Sequence, residues 1–378
     1  MKKMLMLASV ASMIQQFNKR NIHILQEMGY EVHVACNFLA GSTITKKRTE
    51  QLKEELKSIN VHCHQIDFDR NVKNIPAVKR AYAQVKALLQ QEKFTFLHCH
   101  SPIGGVIGRL AGHACGVKVI YTAHGFHFFK GASVVNWTLF YPIERKLSKY
   151  TDILLTMNAE DTKRAEAFSA GTNVYIPGIG IDCQRFAYTA EERKMLRQKY
   201  GYEEDEIILL SVGELSKRKN HEIILQALAN WKGGKIRYLV AGIGPLKDQL
   251  KKQVIELGLE NIVDFLGYCE ATEELYACAD IFIFPSLQEG LPVALMEAMA
   301  AGLPVVVSDI RGNVDLVSQK QGGYLCGTKD VLAFAEAIYH LSTHEEERQK
   351  MGQMNKEKMK QFSAEIVDEK MRGVYGRM

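Results

Sequence analysis

The chain has 378 residues, more than the size of about 250–300 residues at which a single hydrophobic core stops growing, so we expect two domains. Hydrophobic residues make up 47% of the chain and charged residues 24%. That balance is typical of a soluble globular protein. No apolar run of roughly 18 residues is free of charge, so the sequence predicts no membrane-spanning helix.

Charge is unevenly distributed along the chain. The net charge is +5, but residues 1–178 contain 23 lysines and arginines against 13 acidic residues, whereas the remainder contains 25 against 30. This asymmetry predicts that the first half meets an anionic partner, such as a membrane surface or a lipid diphosphate. We expect no nucleic-acid partner.

The eight cysteines are scattered, without a Cys-x-x-Cys pair, and most of them lie within apolar runs. Free cysteine behaves there as a small hydrophobic residue. The pattern favours a reducing compartment over a disulfide framework, and we expect a cytoplasmic protein.

Short β-rich runs alternate with longer helical patterns in the first half. The strands are predicted at 3–9, 31–37, 61–67, 94–100, 118–123, 152–157 and 174–177. The helices are predicted at 13–28, 45–58, 75–91 and 103–115.

The first residues have two interpretations. Met1-Lys2-Lys3 followed by the apolar run Met4–Val10 resembles a short signal peptide. The alternative is a buried first strand. We favour the strand, because the apolar run is short and a helical segment leads directly into a second strand, as a βαβ unit requires.

The alternation continues in the second half. Strands are predicted at 207–213, 236–241, 262–266, 281–284 and 304–307. Helices are predicted at 219–231, 246–257, 271–278, 292–301 and 330–342. Such alternation predicts parallel sheets covered by helices on both faces.

The pattern relaxes around residues 177–182, where we place a domain junction. We predict an α/β fold with two Rossmann-like, doubly wound domains, 1–182 and 183–360, and a helix within 361–378 that returns to the first domain. Ligands of such sheets bind beyond the carboxyl ends of the strands, so the two domains are expected to face a central cleft.

One loop and helix start in the second half has the features of a phosphate site. A buried strand ends at Pro285, a loop carries Glu289, and Pro292 suits the first position of a helix. Free N–H groups at that helix start can bind a diphosphate. Helical side chains tilt toward the N-terminus, so Glu297 points back to the same place. An unpaired carboxylate in this otherwise apolar helix would be costly if it were only structural.

A second motif follows strand 207–213. Gly213 ends the strand, and Arg218 and Lys219 come at the next helix start. Arginine binds phosphate through a fork of two N–H groups and lysine as a point charge. Together with the two glutamates, the motif predicts a site for a diphosphate leaving group.

These motifs resemble those of retaining glycosyltransferase family 4, whose members have the GT-B fold. The resemblance rests on the Glu-x7-Glu element of Glu289 and Glu297, and it extends over nearly the whole chain. The other matching segments are Tyr121–Phe126, which contains a His-Gly element, Gly242–Leu246, Asp264–Tyr268, Ala279–Ser286 and Gly322–Leu325. The run 126–150 resembles the branch that builds bacterial exopolysaccharide and capsule repeat units on a lipid carrier.

The resemblance implies a role for each matching residue. Lys219 and Arg218 would neutralise the diphosphate, Glu289 would hold hydroxyls of the transferred sugar, and Glu297 would hold the ribose hydroxyls. His124 would approach the transferred sugar from the first domain. Further donor contacts are expected at Gly213, Gly242, Gly244, Tyr268, Ser286 and, through backbone N–H groups, Gly290 and Leu291.

Two positions depart from the family pattern. Many relatives carry arginine after the glycine at 213, where this chain has Glu214, so the cationic role falls more heavily on Arg218 and Lys219. Many relatives also have a glycine-rich first loop, whereas this one contains Ser9 and Ser12. Small residues still permit close approach of the backbone, and we expect both serines to contact a ligand.

Three further patterns suggest metal ions, but we interpret them as structural. Asp67-Phe-Asp69 matches the Asp-x-Asp of the other large glycosyltransferase fold, yet it is far in sequence from the nucleotide motifs. In His62-Cys63-His64 and His98-Cys99-His100, strand alternation sends the cysteine to the face opposite its histidines, and structural zinc spacing is absent. We expect neither a metal nor another cofactor in the reaction.

The segment 126–150 mixes aromatic residues with the cations Arg145, Lys146 and Lys149. One interpretation is an interfacial surface that contacts the inner face of the cell membrane through anionic lipid headgroups. The other is an amphipathic helix with its aromatic side on the core and a solvated basic face. The sequence leaves both open.

The sequence therefore predicts a retaining glycosyltransferase that moves a hexosyl or N-acetylhexosaminyl group. The expected donor is a nucleotide-sugar, with UDP favoured, and the expected acceptor is lipid-linked or a saccharide, in exopolysaccharide or capsule synthesis. A nucleotide-sugar epimerase on the same fold and a non-catalytic partner subunit of a polysaccharide assembly complex stay open as alternatives. A dinucleotide oxidoreductase is disfavoured, because no Gly-x-Gly-x-x-Gly follows the first strand.

Overall fold

The computed structural model describes residues 1–41, 44–69, 71 and 74–378. Contacts divide the described chain into two compact units, residues 1–179 with 365–378 and residues 180–364. The sequence-based boundaries lie after residues 182 and 360, whereas the chain passes between the units after residues 179 and 364.

The first unit contains a parallel sheet whose described strands run in the order β3-β2-β1-β4-β5-β6-β7. Each of the predicted strands of the first half is confirmed, with ends that shift by a few residues. The strands are β1 (Lys2–Val10), β2 (Tyr30–Asn37), β3 (His62–Gln65), β4 (Phe96–His100), β5 (Lys118–Ala123), β6 (Ile153–Thr156) and β7 (Thr172–Tyr175).

Helices cover this sheet. They are α1 (Ala11–Phe17), α2 (Lys19–Glu27), α3 (Lys46–Ser58), α4 (Ile75–Glu92), α5 (Pro102–Cys115), α6 (Val134–Ser148) and α7 (Ala159–Ala165). The single helix predicted over 13–28 is two helices, because Asn18 between them is buried and its side-chain amide donates to Met13 O at 3.0 Å. Side chains that accept from the first turn fix several of the starts. These caps are Thr45, Asn74, Ser133 and Asn158.

Successive side chains of β1 point to opposite faces of the sheet, and both faces are buried. Met4 and Met6 belong to the core on one side of the sheet, and Leu5 and Leu7 belong to the core on the other side. β1 pairs in parallel with both β2 and β4. The prediction of a buried strand at the start of the chain is therefore confirmed.

The second unit repeats the plan, with described strands in the order β10-β9-β8-β11-β12-β14-β13. The strands are β8 (Ile207–Val212), β9 (Ile236–Ala241), β10 (Val263–Gly267), β11 (Ile281–Phe284), β12 (Val305–Ser308), β13 (Ser318–Gln319) and β14 (Gly322–Cys326). The first five were predicted from the sequence, and β13 and β14 were not. Glycine disfavours strands, but a Cβ at Gly323 would lie 2.1 Å from Val305 O, so the close pairing of β14 with β12 requires glycine there.

The helices of the second unit follow its strands. They are α8 (Ala190–Tyr200), α9 (Glu222–Leu228), α10 (Lys247–Glu256), α11 (Thr272–Cys278), α12 (Val293–Ala300), α13 (Asn313–Leu316), α14 (Val331–Thr343) and α15 (Glu345–Met359). Short 3-10 turns occur at Cys183–Phe186, Lys217–Lys219 and Lys360–Phe362.

The last helix, α16 (Ala364–Tyr375), packs on the first unit. Arg20 donates two hydrogen bonds to the carboxylate of Asp368, at 3.1 and 2.6 Å. Tyr375 is fully buried, and its hydroxyl lies 2.9 Å from His98 Nδ1. The described residues contain no helix that is both long enough and apolar enough to cross a membrane.

A buried ion pair joins α5 to α6. Arg109 Nη1 donates to Glu144 Oε2 at 2.7 Å, and these residues are 1% and 7% exposed. The guanidinium also lies 4.1 Å from the centre of the Tyr121 ring, and the Tyr121 hydroxyl donates to Glu144 Oε1 at 3.3 Å. Removing one member of such a pair leaves a buried charge without compensation, which is strongly destabilising.

We expect Glu144→Gln to lower the free energy of unfolding by about 3–5 kcal/mol, because the buried Arg109 loses its counter-charge. Urea unfolding of the full chain, followed by circular dichroism, measures the loss. Glu50→Gln is the control, since it breaks an exposed pair with Lys53 at 3.1 Å and should cost less than about 1 kcal/mol. Equal losses in the two variants would contradict the assignment.

Candidate active site

The predicted donor-binding residues of the second unit follow the carboxyl ends of its parallel strands. Gly213 follows β8, Gly242 and Gly244 follow β9, Tyr268 follows β10, and Ser286 follows β11 by way of Pro285. Glu289, Gly290 and Leu291 lie in the loop between β11 and α12, and Glu297 lies in α12. This edge of a parallel sheet is where doubly wound folds bind ligands.

The loops after β8 and β9 are packed backbone to backbone. A Cβ at Gly242 would lie 1.8 Å from Gly213 O, and one at Gly244 would lie 2.4 Å from Leu215 O. The two loops also exchange hydrogen bonds, including Leu215 N to Ile243 O at 3.0 Å. This contact explains glycine at 242 and 244, and their predicted contact with a donor stays a prediction.

One carboxylate joins the two predicted motifs. Glu289 Oε1 accepts from Arg218 Nη1 at 2.6 Å and from Lys219 Nζ at 2.9 Å. The backbone supports the same contact, because Leu287 N donates to Arg218 O at 2.8 Å. Two adjacent cations and a carboxylate about 70 positions away in sequence therefore form a single cluster.

Lys219 is the buried member of this cluster. It is 9% exposed, and its Nζ lies 4.2 Å from the centre of the Phe284 ring. Burial lowers the pKa of Lys219, against the opposing effect of the Glu289 carboxylate. Glu214 also raises this pKa, so the residue that replaces a family arginine supports the neighbouring ammonium. Arg218 differs, with a side chain that is 43% exposed.

The loop before α12 is fixed from the next strand, by a residue that the sequence analysis missed. Arg311, 7% exposed, follows β12, and its Nε donates to Glu289 O at 3.1 Å. A Cβ at Gly312 would lie 2.2 Å from Gly290 O, so this segment lies directly against the loop. Pro292 was predicted at the first position of the helix, but the helix begins at Val293, so Pro292 lies one position before it.

Glu297 is held in a partly buried position. Its Oε2 accepts from the Tyr276 hydroxyl at 3.0 Å. Burial raises the pKa of Glu297 to about 6, although the Tyr276 hydrogen bond and the charge of Arg185 act in the opposite direction. The carboxyl therefore changes charge close to neutral pH. Neither Tyr276 nor Arg185 stood out in the sequence, because each is far from Glu297 along the chain.

Several buried polar atoms at or just after the carboxyl ends of β8, β11 and β12 have no hydrogen-bond partner among the described residues. Buried polar groups are nearly always paired, so such atoms need an explanation. A polar ligand at this edge supplies one, and Ser286 is one of the predicted donor-binding residues. The atoms are Ser216 Oγ, His221 Nε2, Ser286 Oγ, Ser308 Oγ and Asn313 Oδ1.

In the first unit, His124 follows the carboxyl end of β5 and contacts a second histidine. His124 Nε2 lies 3.1 Å from His100 Nδ1, and His100 Nε2 lies 3.1 Å from Met6 Sδ. A thioether sulfur only accepts, so the proton of His100 is on Nε2. His100 Nδ1 then accepts from His124 Nε2–H, which leaves His124 Nδ1 as the unprotonated nitrogen.

Burial keeps both of these histidines neutral. It lowers the pKa of His124 to about 4 and that of His100 well below its usual value. The loop after His124 is fixed by Asp161, whose Oδ2 accepts from Phe126 N at 3.0 Å and from Asn158 Nδ2 at 2.9 Å. His124 is therefore held as a neutral hydrogen-bonding group.

The two predicted serines of the first loop lie at different places. Ser9 N donates to Ser101 Oγ at 3.3 Å, and Ser101 Oγ donates to Ser9 Oγ at 3.0 Å. Ser101 has φ +66°, a left-handed conformation that is uncommon for a residue other than glycine. Ser12 lies in α1 and is buried. The predicted ligand contacts of Ser9 and Ser12 stay predictions.

The Asp67-Phe-Asp69 pattern, which we interpreted as structural, has protein partners. Asp67 Oδ2 accepts from Gln84 at 2.9 Å, and Asp69 Oδ2 accepts from Asn74 at 2.7 Å. In the described part of the chain, a single group has the spacing of metal ligands, namely Glu31, His33 and His62. It lies at the amino ends of β2 and β3, whereas His124 follows a carboxyl end.

Comparison with known proteins identifies both halves of the chain. The model of the glycosyl transferases group 1 family matches residues 192–358, and the glycosyl transferase 4-like model matches residues 3–158. EpsD of Bacillus subtilis (strain 168), named as a glycosyltransferase, is 34% identical over 99% of this chain and 96% of EpsD. The UDP-Gal:alpha-D-GlcNAc-diphosphoundecaprenol alpha-1,3-galactosyltransferase of Escherichia coli is 24% identical over 89% of this chain and 86% of its own.

Solved structures share the fold. Anabaena HepE in complex with UDP superimposes with a TM-score of 0.79 and 18% identity, over 100% of both chains. Sucrose-phosphate synthase from Thermosynechococcus elongatus gives a TM-score of 0.81 and 18% identity, over 100% of this chain and 99% of that one. The fold is therefore GT-B, and the identity with EpsD over nearly the whole length of both chains shows that this protein belongs to the group 1, family 4-like glycosyltransferases and is a glycosyltransferase.

Proposed function

We propose that this enzyme transfers a sugar, with retention of anomeric configuration, from a UDP-sugar to a lipid-linked or saccharide acceptor in exopolysaccharide or capsule synthesis. The cluster of Arg218, Lys219 and Glu289 at the carboxyl edge of the second sheet carries the proposal. The relatives support its finer parts. The name of the Escherichia coli enzyme specifies UDP-Gal and a diphosphoundecaprenol acceptor, and another relative is an amylovoran biosynthesis glycosyltransferase of Erwinia amylovora.

The cluster has the charge that a diphosphate needs. Arg218 and Lys219 both contact one carboxylate, Glu289, and the charge of Glu214 also acts on Lys219. Lys219 is buried, so its attraction for an anion is less screened than that of a surface lysine. When a donor binds, its diphosphate takes the place of the Glu289 carboxylate as partner of Arg218 and Lys219. Glu289 can then accept from hydroxyls of the transferred sugar.

The remaining contacts follow the order of groups in a nucleotide-sugar. Glu297 accepts from the ribose hydroxyls, and backbone N–H groups at Gly290 and Leu291 meet the phosphate or the sugar. His124 offers its unprotonated Nδ1 to a hydroxyl of the substrate sugar, with its Nε2–H held by His100. We assign the rate enhancement to positioning and to stabilisation of the leaving diphosphate, without a protein nucleophile.

The function is tested by transfer of radiolabel from UDP-sugars to lipid or oligosaccharide products. Label in a product supports transfer, and label found only in a second UDP-sugar supports epimerisation. We expect Lys219→Ala and Glu297→Ala to lower kcat/KM by roughly 10²–10³, the effect of removing one preorganised electrostatic contact. Lys252→Ala is the control, because this lysine is exposed on α10. Full activity of Lys219→Ala, in a variant with an unchanged Tm, would refute the role of the cluster.

The raised pKa of Glu297 predicts an acid limb in the rate profile. The ionised carboxylate accepts from two ribose hydroxyls, so kcat/KM should fall as pH falls through about 6. Donor binding favours the ionised form, so the limb in kcat should lie at lower pH than the limb in kcat/KM. Glu297→Gln should lower kcat/KM and remove the limb. His124, with a pKa of about 4, does not titrate there, and a limb that persists in Glu297→Gln would exclude this origin.

The outer face of α6 supports a peripheral contact with an anionic membrane. Its aromatic residues pack on the core, as the second sequence-based interpretation has it. The other face has the cations of the first interpretation, together with exposed aliphatic side chains in place of the aromatic ones. The exposed aliphatic residues are Val134 (77%), Val135 (67%) and Leu139 (46%), and the exposed cations are Arg145, Lys146 and Lys149. We infer that this face rests on the headgroup layer beside a lipid-linked acceptor.

We expect replacement of Arg145, Lys146 and Lys149 by alanine to weaken binding to phosphatidylserine-containing vesicles roughly 100-fold, since each cation contributes about 1 kcal/mol. Co-sedimentation measures the affinity. A matched control replaces Lys251, Lys252 and Lys350, which are exposed in the second unit, and so removes the same charge elsewhere. Equal losses in the two triple variants would show that net charge, and not this face, is responsible.

A further inference from the structure

Four polar side chains share one face of the sheet at the amino ends of β2 and β3. The register pairs His33 with His62 and Ala35 with His64. Alternate residues of a strand point to the same face, so Glu31 and His33 on β2 stand beside His62 and His64 on β3. These four residues form a compact square at the edge of the sheet.

The atoms of this square are close enough to share an ion. His33 Nε2 lies 2.9 Å from Glu31 Oε1, and His62 Nε2 lies 3.6 Å from the same oxygen. The ligand atoms of Glu31, His33 and His62 all lie within 4.8 Å of one another. Bonds of 2.0–2.2 Å in a tetrahedron would place them roughly 3.3–3.6 Å apart, so small movements of side chains suffice.

The surroundings of His33 resemble those of a metal ligand. His33 is 3% exposed, and its other nitrogen, Nδ1, lies 2.9 Å from His64 Nε2. In this structure His33 Nε2 donates to the Glu31 carboxylate, which only accepts, so His33 Nδ1 accepts from His64 Nε2–H. When His33 binds an ion through Nε2, its proton moves to Nδ1 and is donated to His64 Nε2, just as the second N–H of a ligating histidine is donated to a partner that fixes the tautomer and the ring orientation. The Phe94 ring packs edge-on against His33, with 4.9 Å between ring centres. His62 has a side chain that is 58% exposed, which leaves a path for entry from solvent.

One nearby cation does not prevent binding. Lys3 Nζ lies 3.6 Å from Glu31 Oε1, but its shorter contact is with Glu92 Oε2, at 2.8 Å. Lys3 can therefore keep Glu92 as its partner while Glu31 turns to an ion.

We propose that Glu31, His33 and His62 bind one divalent transition-metal ion, with His64 orienting His33. Two imidazole nitrogens and one carboxylate oxygen suit Zn²⁺, Ni²⁺ or Cu²⁺, and they do not suit Mg²⁺ or Ca²⁺, which take oxygen ligands. The ion cross-links β3, which lies at the end of the described sheet, to β2. Its role is structural and separate from sugar transfer.

The test uses the full chain without a polyhistidine tag, treated with chelator and dialysed against ZnCl₂ or MgCl₂. We expect one Zn²⁺ per chain by elemental analysis, no retained Mg²⁺, and a rise in Tm with Zn²⁺, because an ion that binds only the folded state stabilises it. His62→Asn removes an exposed ligand without disturbing the core. It should weaken Zn²⁺ binding by more than about 10-fold, since even residues behind the ligands contribute 10–100-fold.

His23→Asn is the matched control, because His23 is an exposed histidine of the same unit, on α2. Its Zn²⁺ affinity should equal that of the parent protein. His64→Asn tests the orienting role, with an expected loss of about 10–100-fold. Failure to retain one Zn²⁺ per chain, or equal affinities of His62→Asn and His23→Asn, would overturn the proposal.

Discussion

The Lys219 ammonium lies in a largely buried position, between the Phe284 ring and the Glu289 carboxylate. A buried ammonium is costly unless it is paired, and a buried carboxylate is costly for the same reason. The pair of Lys219 and Glu289 therefore requires the loop after β8 and the loop after β11 to be placed accurately. Backbone contact between the loops after β8 and β9, and the hydrogen bond from Arg311 to Glu289 O, supply that placement. A diphosphate that took the Glu289 position would meet the Lys219 ammonium already largely desolvated and oriented, which is the condition for strong electrostatic stabilisation of a leaving group.

In the first unit, burial leaves two titratable side chains uncharged. At Lys219, a neighbouring carboxylate opposes the desolvation that lowers the pKa. At His124 and His100, no carboxylate is among the causes of the lowered pKa values, and desolvation is the largest cause for both. Both rings therefore stay neutral. A neutral His124 has, in Nδ1, a nitrogen that can accept a hydrogen bond. Lys219 is thus a buried group that has a charged partner, whereas His124 is a buried group whose partner is uncharged.

The sequence was sufficient wherever a single local signal decides the structure. Short β-rich runs that alternate with helical patterns predicted the strands of both sheets down to β12, and Glu289 and Glu297 beside Pro292 pointed to the candidate site. It was insufficient where distant backbone segments decide. Gly322 and Gly323 argue against a strand, yet β14 pairs with β12, and its neighbours leave no room there for the Cβ of any other residue. Arg311 and His100 could not be selected, because their importance arises from contacts with Glu289 O and His124 that only the folded chain creates.

In a parallel sheet, the edge formed by the carboxyl ends of the strands and the edge formed by their amino ends present different chemical groups. At carboxyl edges the chain turns from strand into helix, so loops and free N–H groups collect there, with polar atoms such as Ser286 Oγ that have no partner among the described residues. At amino edges the strands begin, and the square of Glu31, His33, His62 and His64 shows that polar groups can collect there as well. Those groups bond mainly with each other and lie beside an end strand that lacks a neighbour in the described sheet. The proposed ion would cross-link β3, an end strand of the described sheet, to β2 at the amino ends of these strands, away from their carboxyl ends.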